Sequence, residues 1–345
     1  PVRDVGDLEG DEGEVVSEYA AFVAGKLKRS TPTGIESPPP LSPSLFPFQR
    51  DLTGWALRRG RAAIFADTGL GKMRMEIEWA RHVAAHTGRP VLILAPLAVA
   101  AQIGAEGATV GTPVAVCRDQ AGAREAVNVA NYERLHRFDP AAFGGVVLDE
   151  SSCIKHHDSR TLRLLMAAFD STPFRLCGTA TPSPNDYTEL GTHAEFLGVC
   201  SRAEMLAEFF CHDGGETATW RLKGHARAAF WRFVASWGAL VRRPSDLGYP
   251  DAGYDLPPLS VEHHVIPADH GEAQRAGLLF AKDASTLTER RAARKASLSS
   301  RVGLCVERVN GNEESWVVWC DLNAESEALA RSIRGAVEVR GSDDI

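Results

Sequence analysis

The run Ala66-Asp67-Thr68-Gly69-Leu70-Gly71-Lys72-Met73 lies between an apolar stretch, Ala62–Ala66, and a helical pattern through Met73, Ile77, Ala80 and Val83. A glycine-containing turn between strand and helix lets backbone N–H groups face phosphate oxygens. The helix N-terminus adds partial positive charge, and Lys72 supplies a point charge for the β and γ phosphates. ATP or a similar triphosphate, held by Asp67, Thr68, Gly69, Leu70, Gly71, Lys72 and Met73, is the expected ligand. One position departs from the pattern. Ser or Thr, whose hydroxyl ligates Mg²⁺, ordinarily follows such a Gly-Lys pair, and a thioether is a poor ligand for that hard cation. A second constellation is Gly145-Val146-Val147-Leu148-Asp149-Glu150-Ser151-Ser152, an apolar strand ending in two adjacent carboxylates. One carboxylate, Asp149, can hold the Mg²⁺ shell while Glu150 polarises the attacking water, the division of labour that phosphoanhydride hydrolysis needs. Paired acids at a strand end also occur as helix caps. Their position downstream of a phosphate loop favours chemistry, with Lys72, Asp149 and Glu150 as the catalytic set.

Both constellations need a scaffold that presents strand ends. From Phe48 onward, short apolar runs alternate with helical patterns: Ala62–Ala66, Val91–Ala95, Pro113–Cys117, Ala126–Ala130, Gly145–Asp149 and Phe174–Gly178. Unbroken apolar runs separated by helices are what a parallel sheet covered on both faces requires. The fold expected is α/β and doubly wound, with ligands at the carboxyl ends of the strands.

The order of motifs resembles that of superfamily-two DExx-box helicases and ATPases, particularly Snf-like and phage or bacterial members. Phe46-Pro47-Phe48-Gln49 is similar to the adenine-reading segment upstream of the phosphate loop, with Gln49 as the adenine contact. Leu94-Ala95-Pro96-Leu97 resembles the segment that touches the nucleic-acid backbone, through Pro96. Asn131-Tyr132-Glu133-Arg134-Leu135 resembles another that lies near bound DNA, through Asn131. Asp149-Glu150-Ser151-Ser152 occupies the DExx position. Gly178-Thr179-Ala180-Thr181-Pro182 resembles the motif that couples hydrolysis to movement through Thr179, Thr181 and Pro182, and Asn185 and Leu190 continue the Snf-type pattern. The matches run in order from Phe46 to Gly198. The resemblance implies a RecA-like P-loop NTPase domain, ATP and Mg²⁺ as cofactors, and nucleic acid, double-stranded DNA above all, as partner. It also implies a second RecA-like domain with an arginine motif, but no Gln-x-x-Gly-Arg-x-x-Arg run occurs in this chain.

At 345 residues the chain has length for about two domains. The expected organisation is an acidic then proline-rich arm over 1–44, a first RecA-like domain over 45–200, a mainly helical insertion over 201–308, and the truncated beginning of a second RecA-like domain over 309–345. The arm holds seven acidic residues between Asp4 and Glu18, a short helix around Glu18–Lys28, and six prolines in Thr31–Pro47. In Ser201–Arg243 the spacing of Phe230, Phe233, Val234, Trp237 and Leu240 predicts one buried helical stripe. Val261–Ile266, Trp316–Cys320 and Ala336–Val339 read as strands, and Ala324–Arg334 as a helix.

Six basic residues and no acidic one fall between Thr217 and Ser245: Arg221, Lys223, Arg227, Arg232, Arg242 and Arg243. They could meet DNA phosphates or form a solvated face. Arg290, Arg291, Arg294, Lys295 and Arg301 pose the same choice. The seven cysteines are scattered, without a Cys-x-x-Cys pair, and His156-His157 and His263-His264 have no companions at metal spacing; zinc is not expected. No stretch approaches the apolar length of a membrane span. A cytoplasmic location, the host cytoplasm if phage-encoded, is the expectation. The net charge of −7 neither supports nor excludes DNA. Two function classes follow: an ATP-dependent DNA helicase or translocase, and a nucleotide-gated DNA-binding module with weak or no turnover. A P-loop kinase or small-molecule ATPase is a third, and leaves Thr179–Pro182 unexplained.

Overall fold

The computed structural model describes residues 30–213, 216–266 and 285–340. The acidic arm and the expected helix around Glu18–Lys28 lie outside the described residues. The chain forms two compact units, Pro1–Leu256 and Pro257–Ile345.

The first unit is built on a seven-stranded sheet whose pairs are all parallel. Its strands are β1 (Arg61–Ala66), β2 (Val91–Ala95), β3 (Val114–Val116), β4 (Val127–Asn131), β5 (Gly145–Asp149), β6 (Phe174–Gly178) and β9 (Gly238–Val241), in the order β3-β4-β2-β5-β6-β1-β9. Side chains alternate across each strand, as the two-residue period dictates. Ala62, Ile64 and Ala66 of β1, with Val91, Ile93 and Ala95 of β2, enter one core. Ala63 and Phe65, with Leu92 and Leu94, enter the other.

The first core is roofed by α1 (Pro47–Arg59), α2 (Lys72–Thr87) and α3 (Leu97–Thr109), through Phe48, Leu52, Met75, Ile77 and Ile103. The opposite core is roofed by α4 (Arg160–Phe169), α5 (Leu190–Phe196), α6 (Arg202–Phe209) and α7 (Arg227–Ala235), through Leu165, Leu190, Phe209, Phe230 and Phe233. The fold class read from the sequence, a parallel α/β sheet with helices on both faces, is the one observed.

The proline-rich segment is tied down. Pro prevents helix there, so the chain runs extended beside the end of α1, where carbonyls lack intrahelical partners. Thr33, Gly34 and Ile35 donate their N–H groups to the carbonyls of Arg59, Arg58 and Leu57, and Ser42 N–H reaches Glu78 Oε1 on α2 at 2.7 Å. Ile35 is buried.

The segment after residue 200 differs from the helical insertion expected. It supplies α6, an antiparallel hairpin of β7 (Phe210–Asp213) and β8 (Glu216–Leu222), α7, and then β9, which pairs with β1 from Ala63↔Gly238 to Ala66↔Val241. The helical stripe holds for Phe230, Phe233 and Val234, all buried, but the helix ends at Ala235; Trp237, also buried, lies in the turn that follows, and Leu240 is 45% exposed. Gly238–Val241 is a strand because it completes the edge beside β1. The loop beyond returns to α1, where Tyr254 meets the rings of Phe46 and Phe48 edge-on.

The second unit holds α8 (Leu287–Ala296), α9 (Leu298–Asn310) and α10 (Asn323–Ser332). The strands expected at Val261–Ile266, Trp316–Cys320 and Ala336–Val339 carry no ladder, so the described residues show no sheet of a second RecA-like domain. A strand needs a hydrogen-bonded neighbour, and Val317 and Trp319, 80% and 93% exposed, have no layer over them.

Candidate functional site

The Ala66–Met73 loop leaves the carboxyl end of β1 and enters α2 through two glycines with left-handed backbone, Gly69 (φ 82°) and Gly71 (φ 75°). Asp67 closes the turn by accepting the Thr68 N–H on Oδ1 at 2.7 Å. The first N–H groups of α2, at Lys72 and Met73, belong to the helix turn that has no internal acceptor, which is what a phosphate requires. Lys72 Nζ donates to the carbonyl oxygens of Ala66 (2.7 Å) and Asp67 (3.2 Å), holding its charge over the loop. Leu70 is buried, and Met73 packs partly against the apolar core.

Gln49 sits beneath this loop. Its Oε1 accepts the Phe46 N–H at 2.9 Å and its Nε2 donates to the Leu70 carbonyl at 2.9 Å, with 2% of the residue exposed. A Cβ on Gly71 would stand 2.4 Å from Nε2. Gln49 is therefore a strut under the loop in this arrangement, with its amide engaged by protein rather than presented to a base.

Asp149 ends β5 and is paired in register with Gly178 on β6, so the acidic pair and the Thr179–Pro182 segment emerge side by side. Glu150 is the one non-glycine residue with positive φ (51°) among those described. That conformation costs a kilocalorie or more and marks an over-determined position. It turns the carboxylate so that Oε1 accepts two hydroxyls, from Ser152 at 2.7 Å and from Thr179 at 2.8 Å. Thr179 Oγ1 in turn accepts the Thr181 N–H at 3.1 Å.

Burial and the neighbouring Glu150 push the Asp149 carboxyl up to about 6. The partly buried Tyr132 phenol donates to the Asp149 carbonyl at 2.7 Å and anchors the strand end. Below it, His193 meets Ser151 Oγ at 3.1 Å, and burial drops its imidazole to about 4.

The structure thus gathers Lys72, Asp149, Glu150 and Thr179 at adjacent strand ends. Pro96 shares a cleft with Glu150, Tyr132, Ser152, Lys155 and His156. Thr181 and Pro182 line another with Asp67, Tyr187, Trp231 and Arg242. Asn131 is not at a surface: it is 8% exposed and its Oδ1 has no protein partner. Asn185 bonds Glu189 and shapes the local turn.

Sequence reasoning missed Glu76. It lies on α2 one turn after Lys72, is 1% exposed, and neither carboxyl oxygen has a hydrogen-bond donor. Burial first, then the charge on Asp149, drive its pKa well above the carboxylate range. The i, i+4 spacing from Lys72 was the available signal, since both residues occupy one helix face.

No known protein family matches the sequence, and no curated protein does. Solved structures do. A SWI2/SNF2 ATPase core of Sulfolobus solfataricus in complex with dsDNA is similar at 16% identity and a TM-score of 0.49, over 81% of this chain and 62% of that one. The UvsW helicase from Bacteriophage T4 follows at 13% and 0.38, over 54% and 66%. The Hef helicase domain of Pyrococcus furiosus is similar at 19% and 0.39, over 45% and 36%. The chain spans less than two thirds of the first of these structures. No described helix is long and apolar enough to cross a membrane.

Proposed function

We propose that the first unit is the nucleotide-binding half of an ATP-dependent motor that moves on double-stranded DNA. The observation that carries this reading is the hydrogen bond from Thr179 to Glu150, which ties the water-polarising acid to the segment that leads into Thr181 and Pro182. A kinase or simple ATPase has no need to couple those two strand ends.

In this reading the loop N–H groups and Lys72 bind the β and γ phosphates. Water attacks the γ-phosphorus and loses its proton to Glu150 Oε2, while the bond to the bridging oxygen breaks and ADP and phosphate result. Glu150 is aimed by Ser152 and Thr179. The donors present fit a divalent cation, since Asp149 is a hard, buried carboxyl at the end of β5. Bound there, Mg²⁺ would neutralise phosphate charge.

The second reading, a nucleotide-gated DNA-binding module with little turnover, is favoured by Met73, which offers no hydroxyl. Nucleotide binding and phosphate release with and without duplex DNA test both. Lys72→Ala should abolish binding, and Glu150→Gln should preserve binding and abolish release. Absence of nucleotide binding by the unaltered protein refutes the proposal. Release that appears only with Met73→Thr selects the second reading.

A further inference from the structure

Glu76 is a buried acid that neither the phosphate loop nor the DExx pair accounts for. Its Oε1 occupies the place where residue 178 would carry a side chain: a Cβ on Gly178 would lie 1.9 Å from it. Gly178 is the register partner of Asp149. The Glu76 carboxyl therefore stands over the strand end that carries Asp149, on the same helix face as Lys72.

Neither Glu76 oxygen meets a hydrogen-bond partner in the protein although the residue is 1% exposed, and an ionised carboxylate only accepts, so both oxygens stand open to a cation. Around this point three carboxyl groups, Glu76, Asp149 and Glu150, act on one another against the single ammonium of Lys72. A buried carboxylate without a compensating charge is strongly disfavoured. Either a proton or a cation must settle the excess.

Met73 decides which is the better account. The hydroxyl that ordinarily completes the cation shell from the first turn of the helix is absent, and Glu76 is the next carboxylate on α2, its Oε1 seated over Gly178, the register partner of Asp149. Among the described residues no three His, Cys, Asp or Glu side chains form a ready cage. That suits a cation which takes one or two carboxylates and fills its shell with phosphate oxygens and water, as Mg²⁺ does.

We propose that Glu76, together with Asp149, ligates the divalent cation of the nucleotide site, directly or through one water, in place of the hydroxyl missing at Met73. The proposal deepens the nucleotide-site reading and rests on it.

The test is the affinity of the full chain for Mn²⁺, followed by electron paramagnetic resonance with and without ADP, in the unaltered protein, Glu76→Gln, and Glu76→Gln with Met73→Thr. ADP binding in EDTA is measured beside it. Glu76→Gln should weaken Mn²⁺ binding about tenfold or more and leave ADP binding in EDTA unchanged. Adding Met73→Thr should restore much of the loss. Mn²⁺ binding by Glu76→Gln that equals or exceeds that of the unaltered protein overturns the proposal, since the carboxyl then holds a proton. No Mn²⁺ binding by the unaltered protein under either condition overturns it too. Should the glutamine variant not fold, Glu76→Met, a close apolar match in shape, provides the same comparison. Failure of the unaltered protein to bind ADP in EDTA refutes the nucleotide reading instead, while the Mn²⁺ comparison without ADP still decides the role of Glu76.

Discussion

His193 sits fully buried under the acidic loop, edge-on to Phe65 at 5.3 Å, with Ser151 Oγ at 3.1 Å. Burial depresses its imidazole from 6.5 to about 4. In the unfolded chain the same imidazole takes a proton near pH 6.5. Between those two values the unfolded state binds more protons than the native state, so stability falls as pH falls. The contribution is complete above pH 6.5, is lost progressively through the window, and is gone below pH 4. Each pH unit of separation is worth about 1.4 kcal/mol, which makes the loss about 2.5 kcal/mol at pH 4.5. Asp149 titrates in the same region with the opposite sign, because its raised native pKa makes it take up a proton on the folded side first. The measurement must therefore be a difference. Urea unfolding of the unaltered protein and of His193→Asn, followed through the buried Trp79 and Trp237, at pH 7.5 and pH 4.5, isolates the histidine. Asparagine changes the Ser151 contact by an amount that does not depend on pH. The gap between the two proteins should narrow by about 2.5 kcal/mol on acidification. A gap of equal size at both pH values refutes the assignment of a buried, neutral imidazole.

Two further outcomes follow from close contacts at the strand ends. Gly178→Ala drives a methyl into Glu76 Oε1 and should cost about 1 to 3 kcal/mol; adding Glu76→Ala should recover stability in a non-additive cycle, seen by thermal unfolding. Thr179→Val keeps shape but removes the 2.8 Å hydrogen bond to Glu150, so kcat for phosphate release should fall by about ten- to a hundredfold, with nucleotide affinity unchanged.

Much of the sheet could be read from local pattern because β1, β2, β5 and β6 are short apolar runs bounded by turn residues, and a strand buried on both faces needs nothing else. Their carboxyl ends then located Lys72, Asp149, Glu150 and Thr179. Non-local effects stayed hidden. Gly238–Val241 is a strand only because β1 offers it a free edge, and no feature within four residues announces that. Trp316–Cys320 has strong strand propensity but no hydrogen-bonded strand partner among the described residues, which shows the same rule from the other side. Arg175 lies inside an apparently apolar strand, yet is buried with its guanidinium on the carbonyls of Asp170, Thr172 and Phe196. Such a residue answers the turn just before its own strand and, at Phe196, the end of a helix 21 residues further on. Glu76 reads as an ordinary solvated helix glutamate until the fold brings Gly178 over it.

The placement of β1 also sets a timetable for synthesis. The strand that carries the Asp67–Gly71 loop ends at Ala66, but its neighbours are Phe174–Gly178 and Gly238–Val241. A ribosome adding roughly 5 to 20 residues per second takes on the order of 10 to 35 s to travel from one to the last. Through that interval β1 has open edges, which are templates for pairing with foreign strands. That loop, early in the chain, is therefore among the last parts of the unit to acquire its final surroundings, and a nascent chain halted before Val241 would present it on an unfinished sheet.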